Sequence, residues 1–182
     1  MNNSNAMQVL EDLLALSGEN ELVEFKEAKN DYDFRKLGKY FSALSNEANL
    51  ARKTRAWLVF GVNDARQVVG TQYRANTNGL ESLKKELADK TTNRITFVAI
   101  HELPHELGRV LLFEIAPAPK GIPVAFDGHY YGREGESLSP LNLSEIERIR
   151  DQAVSEDWSA VVVPEAGLDD LDETALVVAR RN

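Results

Sequence analysis

The chain has 182 residues, of which 43% are hydrophobic and none is cysteine, and its net charge is −8. This length allows one sizeable core but not two full domains, and the lack of cysteine excludes disulfides and thiolate metal sites and favours a reducing, cytoplasmic location. No apolar stretch approaches the ~18 residues of a membrane span. We therefore expect one domain with no membrane partner, preceded by a tag or disordered start over 1–7 and followed by an acidic tail or the start of another module over 155–182.

The first half of the chain alternates helical and extended patterns. Asp33 is placed to cap a helix, and the continuous apolar run AWLVFGV is typical of a strand covered on both faces. Asn63 and Asp64 follow that run at the tip of a turn. The predicted elements are a helix over 7–16, a strand over 22–26, a helix that ends near 45–46, and a hairpin over 57–70.

The second half of the chain alternates hairpins with helices. The predicted elements are a helix over 78–89, a hairpin with strands over 95–103 and 110–116, a last strand that ends in YYGREGE, and a helix over 144–153 with Ser144 as its cap. A doubly wound parallel sheet would repeat strand–helix units without hairpins. The order therefore predicts an α+β domain with a mixed sheet that is built from hairpins and backed by helices.

Positive charge is concentrated in the middle of the chain. Residues 1–25 carry five acids and no base, residues 26–94 carry a net charge of +6, and residues 95–182 carry −9. A basic block in an acidic chain is expected where one face meets an anion such as nucleic acid. A solvated face with a chance asymmetry explains these counts equally well.

Glu19, Glu24 and Asp64 are the candidate residues for chemistry. The two glutamates flank the start of a strand, and Asp64 reaches the same end of the sheet if the two strands are neighbours. Three carboxylates in one cleft repel one another, and Mg²⁺ or Mn²⁺ would offset this repulsion and support phosphodiester cleavage, with Lys26 stabilising phosphate charge. The alternative is structural: Glu24 forms a salt bridge with Lys26 on a solvated face, and the other two acids belong to an ordinary loop and turn.

Other familiar sites are absent from the sequence. It has no phosphate-cradling P-loop, no dinucleotide fingerprint and no nucleophile elbow. ATP is therefore not expected for this segment. His101 and His105 are four residues apart, but Pro104 between them predicts a strand end and loop, which favours structural roles over a shared metal.

Four motifs occur in the order seen in the Schlafen AlbA-like domain, to which DNA binding is ascribed. They are E-x-x-x-x-E-F-K at 19–26, YFSALSN at 40–46, WLVFGVND at 57–64 and YYGREGES at 130–137. The resemblance spans about residues 8–154, and SALSNEANLARKTRAWLVFGV is similar to the bacterial branch of transcriptional regulators and divergent AAA-type proteins. It implies an α+β fold and, as the leading hypothesis, a nucleic-acid-binding domain of a bacterial regulator.

The resemblance also implies a second, enzymatic function. In animal Schlafen proteins the same pattern carries a metal-dependent ribonuclease site of two glutamates and one aspartate. By motif these fall on Glu19, Glu24 and Asp64, the three acids singled out above. Such a site would take Mg²⁺ or Mn²⁺, and no other cofactor is expected.

Basic side chains near these acids are the expected phosphate contacts. They are Lys26, Arg52, Lys53, Arg55 and Arg133. Many family members carry a glycine pair where this chain has Arg55 and Ala56, so side chains rather than main-chain amides are expected to meet the phosphates here. We expect this basic rim and the carboxylates to share one end of the sheet. DNA and RNA both stay open as partners, as does a homo-oligomer, and a protein-interaction domain is a third alternative.

Overall fold

The computed structural model describes residues 3–16, 21–76, 79–135 and 137–153. In these ranges the chain forms a mixed four-stranded sheet, an antiparallel three-stranded sheet and four α-helices, so the α+β prediction is confirmed. The predicted tail over 155–182 lies outside the described residues. In chain order the elements are α1 (Asn3–Leu14), β1 (Val23–Lys26), α2 (Phe34–Leu50), β2 (Ala56–Phe60), α3 (Gly79–Ala88), β3 (Ala99–His105), β4 (Gly108–Ile115), β5 (Ala125–Phe126), β6 (His129–Glu134), β7 (Ser137–Pro140) and α4 (Leu143–Arg150).

The larger sheet has the strand order β1-β2-β4-β3. β1 runs parallel to β2, with Glu24 opposite Leu58 and Lys26 opposite Phe60, while β2 and β3 both pair with β4 in the antiparallel sense. The predicted β3–β4 hairpin is therefore confirmed. β1 is an edge strand, which places Glu24 and Lys26 at the border of the sheet.

Different helices cover the two faces of this sheet. Leu58 and Phe113 pack with Phe41 of α2 in the larger hydrophobic cluster, whereas Val59 packs with Leu10 of α1 in the smaller one. Side chains alternate along a strand, so a strand between two helical layers is apolar at every position. The burial of AWLVF on both faces follows from this arrangement. No helix in the described ranges is long and apolar enough to cross a bilayer.

Helix α2 is longer than the sequence predicts. The Asp33 carboxylate caps its first turn as expected, but the helix continues to Leu50. The polar residues near its end are typical of a loop, yet they are buried and bind the backbone that leads into the second sheet. Asn46 Nδ2 donates hydrogen bonds to the carbonyls of Val124 and Tyr131, each at 2.9 Å. These long-range hydrogen bonds explain polar side chains inside a buried helix.

Helix α1 begins at Asn3, inside the segment 1–7 that is predicted to be a tag or disordered. Two other details differ from the prediction. The VVGT segment contributes a single bridge between Val62 and Val68, because β4 takes the antiparallel place beside β2. Helix α4 is capped by Asn142 rather than by Ser144, since the Asn142 side chain accepts a hydrogen bond from the third residue of the helix.

Candidate functional site

Glu24 lies at the centre of a buried ion network. Its Oε1 is 2.5 Å from Nζ of Lys26, and its Oε2 is 2.7 Å from Nη2 of Arg133. Glu24 is 7% exposed and the side chain of Arg133 is 1% exposed. Both carboxylate oxygens are thus neutralised inside the protein, as burial of a charge requires. The predicted salt bridge between Glu24 and Lys26 is present, although Glu24 is buried and not on a solvated face.

Arg133 ties the second sheet to the first. It lies on β6, where its Nη1 donates a hydrogen bond to the carbonyl of Val23 at 3.1 Å and its backbone N–H donates to Glu47 Oε1 at 2.9 Å. Burial raises the pKa of the Glu47 carboxyl, although the Arg133 amide favours its charged form. Arg133 therefore positions Glu24, since its guanidinium contacts both the Glu24 carboxylate and the Val23 carbonyl of β1.

Lys26 connects this network to the surface. Its side chain is 28% exposed, and its Nζ lies 5.2 Å from the ring centroid of Tyr40 on α2. Burial alone would lower the pKa of Lys26, but the Glu24 carboxylate outweighs it and keeps this pKa above its ordinary value. Burial also raises the pKa of Tyr40. At neutral pH the pair is therefore a charged ammonium group over a neutral ring.

A pocket of about 380 Å³ opens beside β1. We call it the carboxylate pocket, and its charged lining residues are Glu24, Lys26, Asp64, Arg66 and Arg133. Asp64 is exposed in the turn after β2, so the fold brings two of the three predicted acids to one pocket. Glu19, the third, lies outside the described residues. Among the residues that are described, no three acidic or histidine side chains are grouped as metal ligands.

A second pocket, of about 440 Å³, shares Lys26 with the first. We call it the tyrosine–lysine groove, and it is lined by Lys26, Tyr32, Lys36, Lys39, Tyr40 and Tyr131, with residues 138–140 as one wall. Nζ of Lys39 lies 5.5 Å from the ring centroid of Tyr131. In the part of the chain that the structure describes, neither Lys36 nor Lys39 has a carboxylate within ion-pair distance.

The sequence motifs do not indicate this groove. Lys39 and Tyr40 follow Lys36 by three and four residues on α2, a spacing that places their side chains on the same face of the helix as that of Lys36. That local signal was available in the sequence. Tyr131 comes from β6 of the second sheet, and its approach to α2 is decided by tertiary packing.

The fold separates the other predicted phosphate contacts from the acids. Arg52 and Lys53 follow the end of α2 and line a different pocket, of about 630 Å³. Nε of Arg55 is 2.5 Å from Oε1 of Glu114 on β4, beyond β2 from the edge strand. This basic stretch precedes β2, whereas Asp64 follows β2. The basic stretch therefore lies apart from Asp64 and does not line the carboxylate pocket, while the start of β2 lies beside the start of the parallel strand β1.

Glu114 also explains one of the predicted structural histidines. Its Oε2 lies 3.2 Å from Nε2 of His101, and the second histidine, His105, instead accepts a hydrogen bond from a backbone amide. Burial alone would raise the pKa of Glu114, but Arg55 and His101 outweigh burial and lower it. In the described ranges the two histidines belong to separate local contacts.

The family is decided by a match over most of the chain. The family model described as Schlafen, AlbA_2 matches residues 19–142. The chain belongs to the Schlafen AlbA_2 family. All six residues that define the tyrosine–lysine groove lie within the matched segment of this Schlafen AlbA_2 domain, as do Glu24 and Asp64.

Two solved structures are similar to this Schlafen AlbA_2 chain. The DIP2311 protein from Corynebacterium diphtheriae is 19% identical with a TM-score of 0.54, and the match covers 98% of this chain and 34% of DIP2311, so the chain spans about a third of that protein. The N-terminal domain of a Nitrosomonas europaea protein, described as related to the ATP-dependent DNA helicase RecG, is 18% identical with a TM-score of 0.46, and the match covers 79% of this chain and 94% of that domain. At 19% identity, DIP2311 shows likeness of fold alone. No curated protein matches the chain.

Proposed function

We propose that this domain binds nucleic acid and that the tyrosine–lysine groove is the contact surface. The observation that carries the proposal is the meeting of three lysines and three tyrosine rings in one concave surface. Lysines neutralise phosphates, and aromatic rings stack on bases. Because Lys36 and Lys39 have no ion-pair partner among the described residues, their charge is available to a ligand.

Two further basic residues extend this proposal along α2. Arg52 and Lys53 lie just beyond the C-terminal end of the helix, whereas Lys36 lies in its first turn. A helix of 17 residues is ~25 Å long, so the two clusters suit contacts to separate phosphates of one strand. The biological setting we propose is a bacterial transcriptional regulator, which the resemblance of residues 42–62 to that branch supports.

The test compares two lysine variants by fluorescence polarisation with labelled oligonucleotides. The double variant Lys36→Ala/Lys39→Ala is expected to bind about tenfold or more weakly than wild type, because two phosphate contacts are lost. Lys85→Ala is the matched control, since Lys85 is exposed on α3 and outside the groove. Equal affinities of the double variant and the control would contradict the groove as the contact surface.

A metal-dependent ribonuclease is the second candidate function. The observation that favours it is that Glu24 and Asp64 line one pocket beside Lys26. Carboxylate oxygens are the ligands that Mg²⁺ and Mn²⁺ prefer. Each oxygen of Glu24 already contacts one cation, so a metal would bind a remaining lone pair or replace one of these cations. Of the two cations that contact Glu24, Lys26 is more exposed than Arg133 and is the one that can move aside. The resemblance to animal Schlafen proteins makes Glu19 the third proposed ligand.

Asp64→Asn is the sharper variant for this candidate, because Asp64 is exposed and Glu24 also holds the fold together. Structured RNA incubated with Mn²⁺ is expected to be cut by wild type and by the exposed-acid control Glu81→Gln, and to be spared by Asp64→Asn at unchanged melting temperature. Equal cleavage by all three proteins, or no cleavage by wild type, would remove the ribonuclease from consideration. Neither result bears on binding in the groove.

A further inference from the structure

The shape of the tyrosine–lysine groove indicates which form of nucleic acid it accepts, an inference that rests on the proposed function. We propose that the groove takes unpaired nucleotides of single-stranded DNA or RNA and not a double helix. Three features carry this: half-buried rings in a concave surface, a helix that is not free to enter a duplex groove, and the size of the pocket.

The tyrosine rings suit base faces and not base edges. Tyr40 and Tyr131 are both partly buried, and each has a lysine nitrogen within 5.5 Å of its ring centroid. In a duplex the base faces are stacked on one another, and a protein meets only base edges and the backbone. An unpaired base can stack on such a ring when the lysine that lies over the ring turns to a neighbouring phosphate.

Helix α2 carries Lys36 and Lys39 but cannot act as a recognition helix. A recognition helix projects from the protein into a major groove ~12 Å wide. In α2, 11 of 17 residues are buried, because the helix packs against both sheets. Its lysines instead lie along the groove between α2 and β7. A pocket of about 440 Å³ is too small to enclose a double helix.

The groove borders the carboxylate pocket at Lys26. Lys26 lines both pockets, so a strand that lies along the rings of Tyr40 and Tyr131 has its next phosphate beside Lys26. Beyond Lys26 the strand meets the acids Glu24 and Asp64. The path of a single strand thus leads from a basic, aromatic surface to an acidic one.

The experiment uses fluorescence polarisation of the full chain with four probes of equal length. They are single-stranded DNA, single-stranded RNA of the same sequence, the DNA duplex, and a single strand with abasic sites in place of its bases. Both single strands are expected to bind at least tenfold more tightly than the duplex. The abasic strand keeps the phosphates but loses stacking, so about a fivefold to hundredfold loss of affinity is expected. Tighter binding of RNA than of DNA would assign the 2′-hydroxyl a contact.

Variants of Tyr131 test whether base stacking occurs in the tyrosine–lysine groove. Tyr131→Leu is expected to lower single-strand affinity about fivefold to a hundredfold, whereas Tyr131→Phe keeps the ring and is expected to bind like wild type. The abasic probe tests the same stacking on the wild-type protein if Tyr131→Leu does not fold. Duplex binding as tight as single-strand binding, or abasic binding as tight as that of the normal strand, would overturn this inference and leave the proposed function intact. Failure to bind any probe would overturn the proposed function itself.

Discussion

At the residue scale, Glu24 has a structural role that does not depend on a ligand. Its two oxygens bind Lys26 on the same strand and Arg133 on the second sheet, so one carboxylate joins two sheets. The contact with Lys26 can be expected from the spacing of two residues along one strand. The contact with Arg133 joins residues far apart in sequence and depends on how the two sheets pack.

Replacing Glu24 with glutamine leaves the guanidinium of Arg133 buried without a counter-charge. Loss of one partner of a buried ion pair destabilises a protein by roughly 3 kcal/mol or more, so we expect Glu24→Gln to lower the free energy of unfolding by about that amount in a urea titration. The exposed-acid control Glu81→Gln is expected to match wild type. A loss below about 1 kcal/mol would show that the Glu24 network contributes little.

Glu47 predicts how stability depends on pH. Burial raises its pKa above the ordinary value of 4.5, so between 4.5 and the raised value the folded state holds a proton that the unfolded state has released. The contribution of Glu47 to the free energy of unfolding is therefore fully present below pH 4.5, and it is lost as the pH rises through the folded-state pKa. In urea titrations over this range, the difference in free energy of unfolding between wild type and Glu47→Gln is expected to shift against wild type as pH rises. A pH-independent difference would contradict the assignment.

At the element scale, α2 organises the domain. Its apolar face forms the main core with the larger sheet, while Ser42 and Asn46 bind the backbone around Val124. The same helix presents Lys36 and Lys39 to the groove. A helix that is buried on two sides tolerates little change in volume, and at Gly38 the helix approaches the ring of Phe126 closely.

Gly38→Ala tests how closely α2 approaches the second sheet. A Cβ at this position would lie 2.1 Å from the ring of Phe126. Alanine favours a helix over glycine by about 1 kcal/mol, but the overlap is expected to outweigh this and to lower the melting temperature, since overpacking destabilises by roughly 1–3 kcal/mol. Combining the change with Phe126→Leu should recover part of the loss. A variant that melts above wild type would show that the ring moves freely.

At the scale of the whole molecule, the net charge is negative although the tyrosine–lysine groove is positively charged. The chain carries −8 overall, yet the groove gathers three lysines from β1 and α2. Counterion release depends on the lysines that touch phosphate and not on net charge. An acidic protein can therefore bind a polyanion through one surface.

The salt dependence of binding measures how many lysines take part. With three phosphate contacts in the groove and two more at Arg52 and Lys53, the plot of log affinity against log salt is expected to have a slope of about −3.5, and Lys36→Ala/Lys39→Ala should reduce it to about −2. Polarisation titrations at several salt concentrations give both values. A slope near zero for wild type would mean that phosphate contacts do not drive binding.

Much of the fold could be predicted because its signals are local. The apolar run of β2, the cap at Asp33 and the β3–β4 hairpin depend on side-chain pattern and turn chemistry within a few residues. The end of α2 could not be predicted, because its polar residues satisfy a distant backbone. The same difference between local and distant signals applies to the candidate site. Sequence motifs singled out Glu24 and Asp64 of the carboxylate pocket, but they did not indicate the tyrosine–lysine groove beside it.

Residue pattern alone determines that this chain folds as an α+β domain of the Schlafen AlbA_2 family with acids near its first strand. Strand order, the pairing of Arg133 with Glu24 and the meeting of Tyr131 with Lys39 were decided by tertiary structure. The physical reason is the separation in sequence between the residues that interact. Hydrogen bonding and periodic burial act between near neighbours in sequence, whereas a pocket is formed where distant segments pack to bury their apolar faces.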